Sequence, residues 1–453
     1  MGYEHILDMK VYIETYGCQM NVGDSEVILS ILGKVGYSLT DDMNEADLIL
    51  ANTCSIRDNA EQRIWGRIEQ FRLAKRKNKN VRIGIMGCMA ERLKSELLES
   101  GKVDLVCGPD AYRRLPALLE ELGHTTVAMD VELSRTETYA DIEPKRIDSN
   151  GVSAFVSIMR GCNNVCSYCI VPYTRGVERS RDVDSIVREV RTLWEGGYRE
   201  VTLLGQNVNS YSYTDKEGKH TGFAELLRKV AEEFPAMRIR FSTSNPHDLS
   251  DDILYAIAEH ENICRHIHLP VQSGSNAMLE KMRRKYTREW YLDRVEAIRR
   301  IIPGCSLTTD VIAGFCGESL QDHLDTLSLM DKVGFDSAFM FQYSERPGTL
   351  AARKYEDDVP PAEKTRRLNE IIEHQVKTSG RRYAAQMGKV FEVLIEGPSK
   401  KSISDLCGRA SNNMMCVFED KHPDRNRVGS TAKVRVVGST SATLICEEIE
   451  NAI

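Results

Sequence analysis

Three times in the first ninety residues an apolar run of strand character ends in a short loop that carries a cysteine, and a helical stretch follows. Residues 11–15 lead into Tyr16-Gly17-Cys18 and a helix over 24–35. Residues 48–51 lead into Asn52-Thr53-Cys54 and a helix over 56–73. Residues 81–86 lead into Gly87-Cys88 and a helix over 90–98, and a fourth unit spans 103–122. Parallel neighbours need a crossover between them, and a helix is the usual crossover, so this alternation predicts a parallel sheet with helices on both faces.

Such a sheet is an α/β domain of flavodoxin-like type over residues 9–125. Its strand-to-helix loops all emerge at one carboxyl edge. Cys18, Cys54 and Cys88, spaced by 36 and 34 positions, therefore converge on one crevice. Three thiols there have the chemistry to ligate an iron–sulfur cluster; the plainer alternative is three small side chains packed under loops.

A second cysteine group is tighter. Gly161-Cys162-Asn163-Asn164-Val165-Cys166-Ser167-Tyr168-Cys169 spaces three thiols as Cys-x3-Cys-x2-Cys, with no fourth cysteine or histidine close behind. Structural zinc closes with four protein ligands and iron–sulfur clusters usually take four thiolates, so three ligands leave one iron open for a cofactor or substrate. An incomplete zinc knuckle is the competing reading. Thirteen cysteines in 453 residues are too sparse for a disulfide scaffold, which points to a reducing compartment. The other seven, Cys107, Cys264, Cys305, Cys316, Cys407, Cys416 and Cys446, are expected to be buried thiols.

A polar, acidic stretch over 130–150 leads from the first domain to the second, residues 148–380. Apolar strands are expected there at 154–159, 200–204, 237–241, 266–269, 306–312 and 337–341, each followed by a helical segment: six βα units. From about residue 383 the material changes to short β-rich runs at 390–395, 407–410, 414–418, 431–437 and 442–447, separated by turn residues such as Gly397-Pro398 and Asn412-Asn413. Five short strands over 383–449 suggest a small OB-like barrel, a form that often binds nucleic acid. The chain's net charge of −7 does not advertise a nucleic-acid binder, so any RNA contact falls to local basic patches. Candidates on the barrel are Lys400, Lys401, Arg409, Arg425, Arg427, Lys433 and Arg435. Others are Lys364, Arg366, Arg367, Arg381 and Arg382 just before it, Lys281, Arg283, Arg284 and Lys285 in the middle domain, and Lys75-Arg76-Lys77 in the first. Solvated surface charge is the alternative for each.

The Cys-x3-Cys-x2-Cys spacing matches the signature of radical S-adenosylmethionine enzymes, which the chain resembles at this point. Thr15-Tyr16-Gly17-Cys18-Gln19-Met20-Asn21 with Asp24-Ser25-Glu26, Asn52-Thr53-Cys54-Ser55-Ile56-Arg57, Gly87-Cys88-Met89-Ala90, and the tail Ile170-Val171-Pro172-Tyr173-Thr174-Arg175-Gly176 resemble the methylthiotransferase branch of that superfamily. The C-terminal segment resembles the TRAM domain that the branch carries for RNA binding. The resemblance covers nearly the whole chain, and none of the six cysteines departs from it.

It implies a partial (β/α)6 TIM-type barrel with its site at the carboxyl ends of the strands, and two 4Fe-4S clusters. One, on Cys162, Cys166 and Cys169, would reduce S-adenosylmethionine to a radical. The other, on Cys18, Cys54 and Cys88, would carry sulfur that a first S-adenosylmethionine methylates. Tyr168 is expected beside the first cluster, near the adenine of the cofactor. Gln206, Asn207, Ser244, Gln272, Ile312, Gly314 and Tyr343 follow strand ends where the cofactor is expected, with ordinary loop hydrogen bonding as the alternative. No phosphate-cradling Gly-x4-Gly-Lys-Ser/Thr run exists.

The reaction the resemblance implies is methylthiolation at C2 of N6-isopentenyladenosine beside the anticodon of tRNA, an unactivated C–H position that needs a radical. The residues around Cys18 and Cys54 favour this target over a ribosomal protein, with Arg57 near the modified base. The tRNA anticodon stem-loop, an electron donor and an iron–sulfur carrier protein are the implied partners. Another hypermodified tRNA adenosine, or a non-catalytic iron–sulfur RNA-binding regulator, are the competing functions. No signal-like N-terminus and no membrane-spanning apolar run are present, which reads as soluble and cytoplasmic.

Overall fold

Six parallel strands form the N-terminal sheet of the computed structural model, which describes residues 9–54, 58–147 and 150–449. In spatial order they are Tyr37–Leu39, Met9–Thr15, Leu48–Thr53, Arg82–Gly87, Leu105–Cys107 and Ala128–Asp130. Leu48–Thr53 is buried at every position, as expected of a parallel strand covered on both faces. Its side chains alternate: Leu48 and Leu50 join one core with Val11, Ile28, Leu32 and Tyr112, while Ile49 and Ala51 join another with Ile64, Ile68, Phe71 and Ile83. The flavodoxin-like domain is thus present, with two edge strands that the periodicity does not reveal, because three residues are too few to establish an alternation.

Helix boundaries in this domain differ from expectation, the second helix, Asp58–Lys77 among the described residues, running past the expected end at 73. The first helix is Gln19–Gly33 rather than 24–35. Cys18 occupies its N-cap and Asn21 Oδ1 accepts from the Cys18 N–H at 3.3 Å, so the capping interaction draws residues 19–23 into the helix ahead of the expected start. The helix expected over 90–98 is two, Cys88–Leu93 and Ser95–Glu99, broken at Lys94 with φ 47°. The acidic stretch after Asp130 is no free linker: Tyr139 and Ile142 are buried in the first core, and the Tyr139 hydroxyl donates to the Pro109 carbonyl at 3.0 Å.

The middle of the chain supplies all six expected strands, as two three-stranded sheets. One has the order Arg238–Ser242, Glu200–Leu204, Ser153–Ser157; the other His266–His268, Ser306–Ala313, Ser337–Gln342. They meet where Ile239 bridges Ile263 in parallel, with the Cys264 N–H on the Ile239 carbonyl at 2.8 Å. This row, with Phe223–Glu233, Asp251–Glu259 and Leu320–Val333 among its helices, is the partial (β/α)6 barrel.

The last five strands, Val390–Ser399, Ser402–Ala410, Met415–Glu419, Thr431–Ser439 and Leu444–Glu448, close a barrel in the order 1-2-3-5-4, the connectivity of an OB-like fold. Val393, Ile395, Phe418, Val434 and Leu444 fill it. Arg240 ties this barrel to the strands behind it, donating to the Ala410 carbonyl at 2.9 Å and to Glu200 at 2.8 Å. The chain clusters into two compact units, Met1–Asp148 with Ser157–Asn164 and Cys169–Ile186, and Ser149–Val156 with Val165–Tyr168 and Val187–Ile453. Among the described residues no helix is long and apolar enough to cross a membrane.

Candidate metal centres

In the first unit, strand register carries the three separated cysteines to one edge. Thr15 pairs with Asn52, and Thr53 with Gly87, so Cys54 and Cys88 follow directly on neighbouring strand ends and Cys18 lies three residues past a third. Asn21 and Asn52, both fully buried, lock these loops: Asn21 Nδ2 donates to the Thr53 carbonyl at 3.2 Å, and Asn52 Nδ2 returns to the Asn21 carbonyl at 2.8 Å and to Ser25 Oγ at 2.9 Å. Thr53 Oγ1 donates to the Met86 carbonyl at 2.7 Å. Gly17, at φ 134°, stands so close that a Cβ there would lie 2.5 Å from the Cβ of Cys54. A hydrogen bond from the Cys54 thiol holds the Cys18 thiol below the usual thiol range, and nearby Arg175 adds to this. Burial pushes the Cys88 thiol up, against the same arginine.

Arg175 belongs to a buried ion network that sequence reasoning missed. Asp24, 1% exposed, accepts from Arg160 Nη1 at 2.7 Å and Arg175 Nη2 at 2.8 Å. Arg179 Nη2 meets Asp110 at 2.9 Å and its Nη1 donates to the Ser134 carbonyl at 2.6 Å. Asp24 and Arg175 stand in the quoted family motifs, but a carboxylate and a guanidinium 151 positions apart carry no local sign that they meet. Nη1 of Arg175 is buried with no hydrogen-bond partner among the described residues.

The tight trio opens on Gly161 at φ 75°, where a Cβ would fall 2.0 Å from the Val177 carbonyl oxygen. The Cys162 N–H donates to the Gly176 carbonyl at 3.1 Å, and the Asn164 N–H to Cys162 Sγ at 3.4 Å. After Cys169 the helix Val171–Arg175 packs against Cys88–Leu93. Cys162 and Cys169 fall in the first unit and Cys166 in the second, where Arg284 Nη1 donates to Cys166 Sγ at 3.2 Å. Tyr168 packs edge-on to Phe315, centroids 6.4 Å apart.

The expected cofactor residues divide into two kinds. Gln206 Oε1 and Ser244 Oγ are buried without hydrogen-bond partners among the described residues, as are Thr243 Oγ1 and both side-chain polar atoms of Asn209. Such orphans after two adjacent strands, Glu200–Leu204 and Arg238–Ser242, suit a polar ligand, because an unsatisfied buried group is costly. Asn207 instead is spent within the fold, donating to Asp248 at 2.6 Å and accepting from the Asn245 N–H at 3.0 Å. Gln272, at φ 68°, bridges Val311 through its backbone, and Ile312 donates its N–H to the Gln272 carbonyl at 2.9 Å. The Gly314 N–H caps Glu318 at 2.8 Å, and Tyr343 is buried against Phe315 at 4.9 Å between centroids.

Several expected basic contacts are consumed by the fold. Lys364 and Arg367 are buried, on Asp357 at 2.6 Å and Glu318 at 2.8 Å. Arg366 pairs with Glu363 and Glu370, Arg382 with Asp336, and Arg427 with Asp420 and Glu448. Arg381 lies 3.7 Å from Asp331, and Arg409 bonds Glu396 at 3.4 Å. Lys281 donates to the Cys316 carbonyl at 2.9 Å and Lys75 pairs with Asp104. Lys400, Lys401, Arg425, Lys433 and Arg435 are exposed, as are Arg283, Lys285, Arg76 and Lys77. Arg57 lies outside the described residues. Six of the seven other cysteines are buried; Cys407 is half-buried.

Among the described residues no three His, Cys, Asp or Glu side chains stand at the spacing that holds a single metal ion. What the described residues offer an iron–sulfur cluster is thiol donors, an arginine beside Cys88 and another on Cys166, and loops too tight for a further side chain.

Three family descriptions match the sequence in order: Uncharacterized protein family UPF0004 over residues 10–108, the Radical SAM superfamily over 156–330, and the TRAM domain over 384–447. The chain is 56% identical over 441 residues to the tRNA-2-methylthio-N(6)-dimethylallyladenosine synthase of Phocaeicola vulgatus, covering 97% of this chain and 96% of that one. It is 55% identical over 443 residues to the enzyme of that name from Parabacteroides distasonis, covering 98% and 96%. Among solved structures, the radical S-adenosylmethionine methyltransferase TsrM of Kitasatospora setae superposes with TM-score 0.56 at 14% identity, over 76% of this chain and 75% of that one, a likeness of fold.

Proposed function

We infer the reaction from one premise: the chain belongs to the family of tRNA-2-methylthio-N(6)-dimethylallyladenosine synthases. It is a radical S-adenosylmethionine enzyme that transfers a methylthio group to tRNA, at C2 of N6-isopentenyladenosine beside the anticodon. It uses an iron–sulfur cluster and S-adenosylmethionine.

The finer assignment is two 4Fe-4S clusters. Cys162, Cys166 and Cys169 would hold one, and Cys18, Cys54 and Cys88 the other, within domains at 9–125 and 148–380, with the RNA-binding domain at 383–449. The observation that carries it is the convergence of Cys18, Cys54 and Cys88 on one sheet edge. When bound, these groups supply an electron, a carbon-centred radical and sulfur. This chain's residues do the rest. Asn21 and Asn52 hold two cysteine loops in place, Arg175 sets a positive charge beside Cys88, and Gln206, Thr243 and Ser244 offer unpaired polar atoms to S-adenosylmethionine. A one-electron donor and an iron–sulfur carrier protein complete the partners, in the cytoplasm.

The test is a side-by-side anaerobic assay of reconstituted protein on prenylated tRNA, unprenylated tRNA and a ribosomal protein. Methylthiolation of the prenylated tRNA is expected. Equal turnover on unprenylated tRNA, or preference for the protein, overturns the reading.

A further inference from the structure

Arg284 was expected on an RNA-facing patch, yet its side chain is engaged within the second unit. It lies in the turn between helices Asn276–Lys281 and Arg288–Ile301 and is half-buried. Besides Cys166 Sγ at 3.2 Å, it donates through Nη2 to the Pro270 carbonyl at 3.2 Å and Asn245 Oδ1 at 3.4 Å, and through Nε to the Tyr286 hydroxyl at 3.0 Å. Its guanidinium lies over the Tyr286 ring, 5.1 Å from the centroid. Pro270 follows strand His266–His268 and Asn245 follows Arg238–Ser242, so one planar fork reaches two strand ends and a cysteine sulfur together. The residue after Cys166 is clamped by the same segment: the Ser167 N–H donates to the Met282 carbonyl at 3.0 Å and Ser167 Oγ to the Lys281 carbonyl at 2.8 Å.

We propose that Arg284 is a positioning residue for the cluster on Cys162, Cys166 and Cys169: it fixes the Cys166 sulfur against the strand ends and raises the potential at which that cluster accepts its electron. The inference rests on the reading that these three cysteines hold that cluster. A thiolate on iron gains negative charge when the cluster takes one electron from a donor, and a cationic N–H on the sulfur stabilises the reduced state more than the oxidised one. Hydrogen bonds to the sulfurs and net charge are among the factors that set such potentials. Arginine suits this place because a lysine ammonium cannot span the same four acceptors.

The test uses full-length protein with Cys18, Cys54 and Cys88 changed to alanine, so that one cluster is read. Arg284→Gln, Arg284→Met and Arg284→Lys are reconstituted, their iron and sulfide measured, and the clusters titrated by electron paramagnetic resonance. The Gln and Met proteins are expected to keep their iron, while the reduced-to-oxidised ratio at fixed potential falls at least tenfold, 59 mV for a one-electron couple. The Lys protein should fall less, and Arg283→Gln, on the exposed neighbour, not at all. Full iron with an unmoved midpoint in both Gln and Met overturns the proposal. Should those two lose the cluster, the Lys protein decides: a lowered midpoint supports the proposal and a parental one overturns it. Cys166→Ala in the same background isolates the premise, since a complete cluster there sinks the ligand assignment, and the inference with it.

Discussion

Glu91 shows how a single side chain near the first cysteine trio couples stability to pH. It is 2% exposed and three residues past Cys88; Lys94 meets it at 3.2 Å, and its Oε2 is buried with no partner among the described residues. Burial pushes its carboxyl up to about 7, opposed by Lys94 and reinforced by Asp110 and Asp130. An unfolded glutamate titrates near about 4.3. Between that value and about 7 the folded protein holds a proton that the unfolded chain has released, so stability falls as pH rises through this window and levels off above it. Glu91→Gln is expected to remove that fall. Thermal unfolding should show the two proteins converging at pH 4 and the parent melting below the variant at pH 8; parallel curves would mean that Glu91 ionises at no cost. Asp24 presents the opposite case, a buried carboxylate held low by Arg160 and Arg175 against its own desolvation. Asp24→Asn removes the buried Arg175 guanidinium's carboxylate and one of the two that Arg160 meets, and should cost about 3–5 kcal/mol in urea unfolding.

At the scale of elements, the loops that carry cysteines are held by backbone proximity more than by their own sequence. Gly161→Ala would press a Cβ into the Val177 carbonyl at a positive φ, so we expect the reconstituted variant to bind less iron while its circular dichroism stays parental. An iron content equal to the parent would show that the turn relaxes freely. The two trios should also separate functionally. Alanine at Cys18, Cys54 and Cys88 together is expected to leave S-adenosylmethionine cleavage intact and abolish sulfur insertion, whereas alanine at Cys162, Cys166 and Cys169 should eliminate 5′-deoxyadenosine. Product made from the protein's own sulfur by the first variant would refute the sulfur-carrying role.

For the molecule as a whole, RNA binding has to be built from local charge, and the fold leaves fewer free cations than composition suggests. Lys433 and Arg435 alternate with buried Ala432, Val434 and Val436 on one barrel strand, so both point outward; Lys400 and Lys401, at the turn between the first two barrel strands, are exposed as well. Changing these four to glutamine should weaken tRNA binding and flatten its salt dependence by about 0.7–0.9 in log–log slope for each phosphate that is no longer neutralised. An unchanged slope would remove these four side chains from the interface. Point changes serve better than deleting the barrel, because deletion would strip Arg240 of its Ala410 carbonyl partner.

The sequence by itself determined the sheet classes, the six barrel strands, the five-strand C-terminal domain and the spacing of the two cysteine trios. Each of these is written in local period or spacing: apolar runs of strand length, helices between them, thiols at short metal-like intervals or one per strand-and-helix unit. It could not determine which charges meet. Asp24 with Arg175, Cys166 with Arg284 and Arg367 with Glu318 are pairs separated by 49 to 151 positions. A lone arginine reads identically on a solvated surface and beside a cysteine sulfur, because nothing in its neighbours encodes the partner. Only the folded backbone decides, by bringing strand ends and loops close enough that desolvation makes each such pairing obligatory.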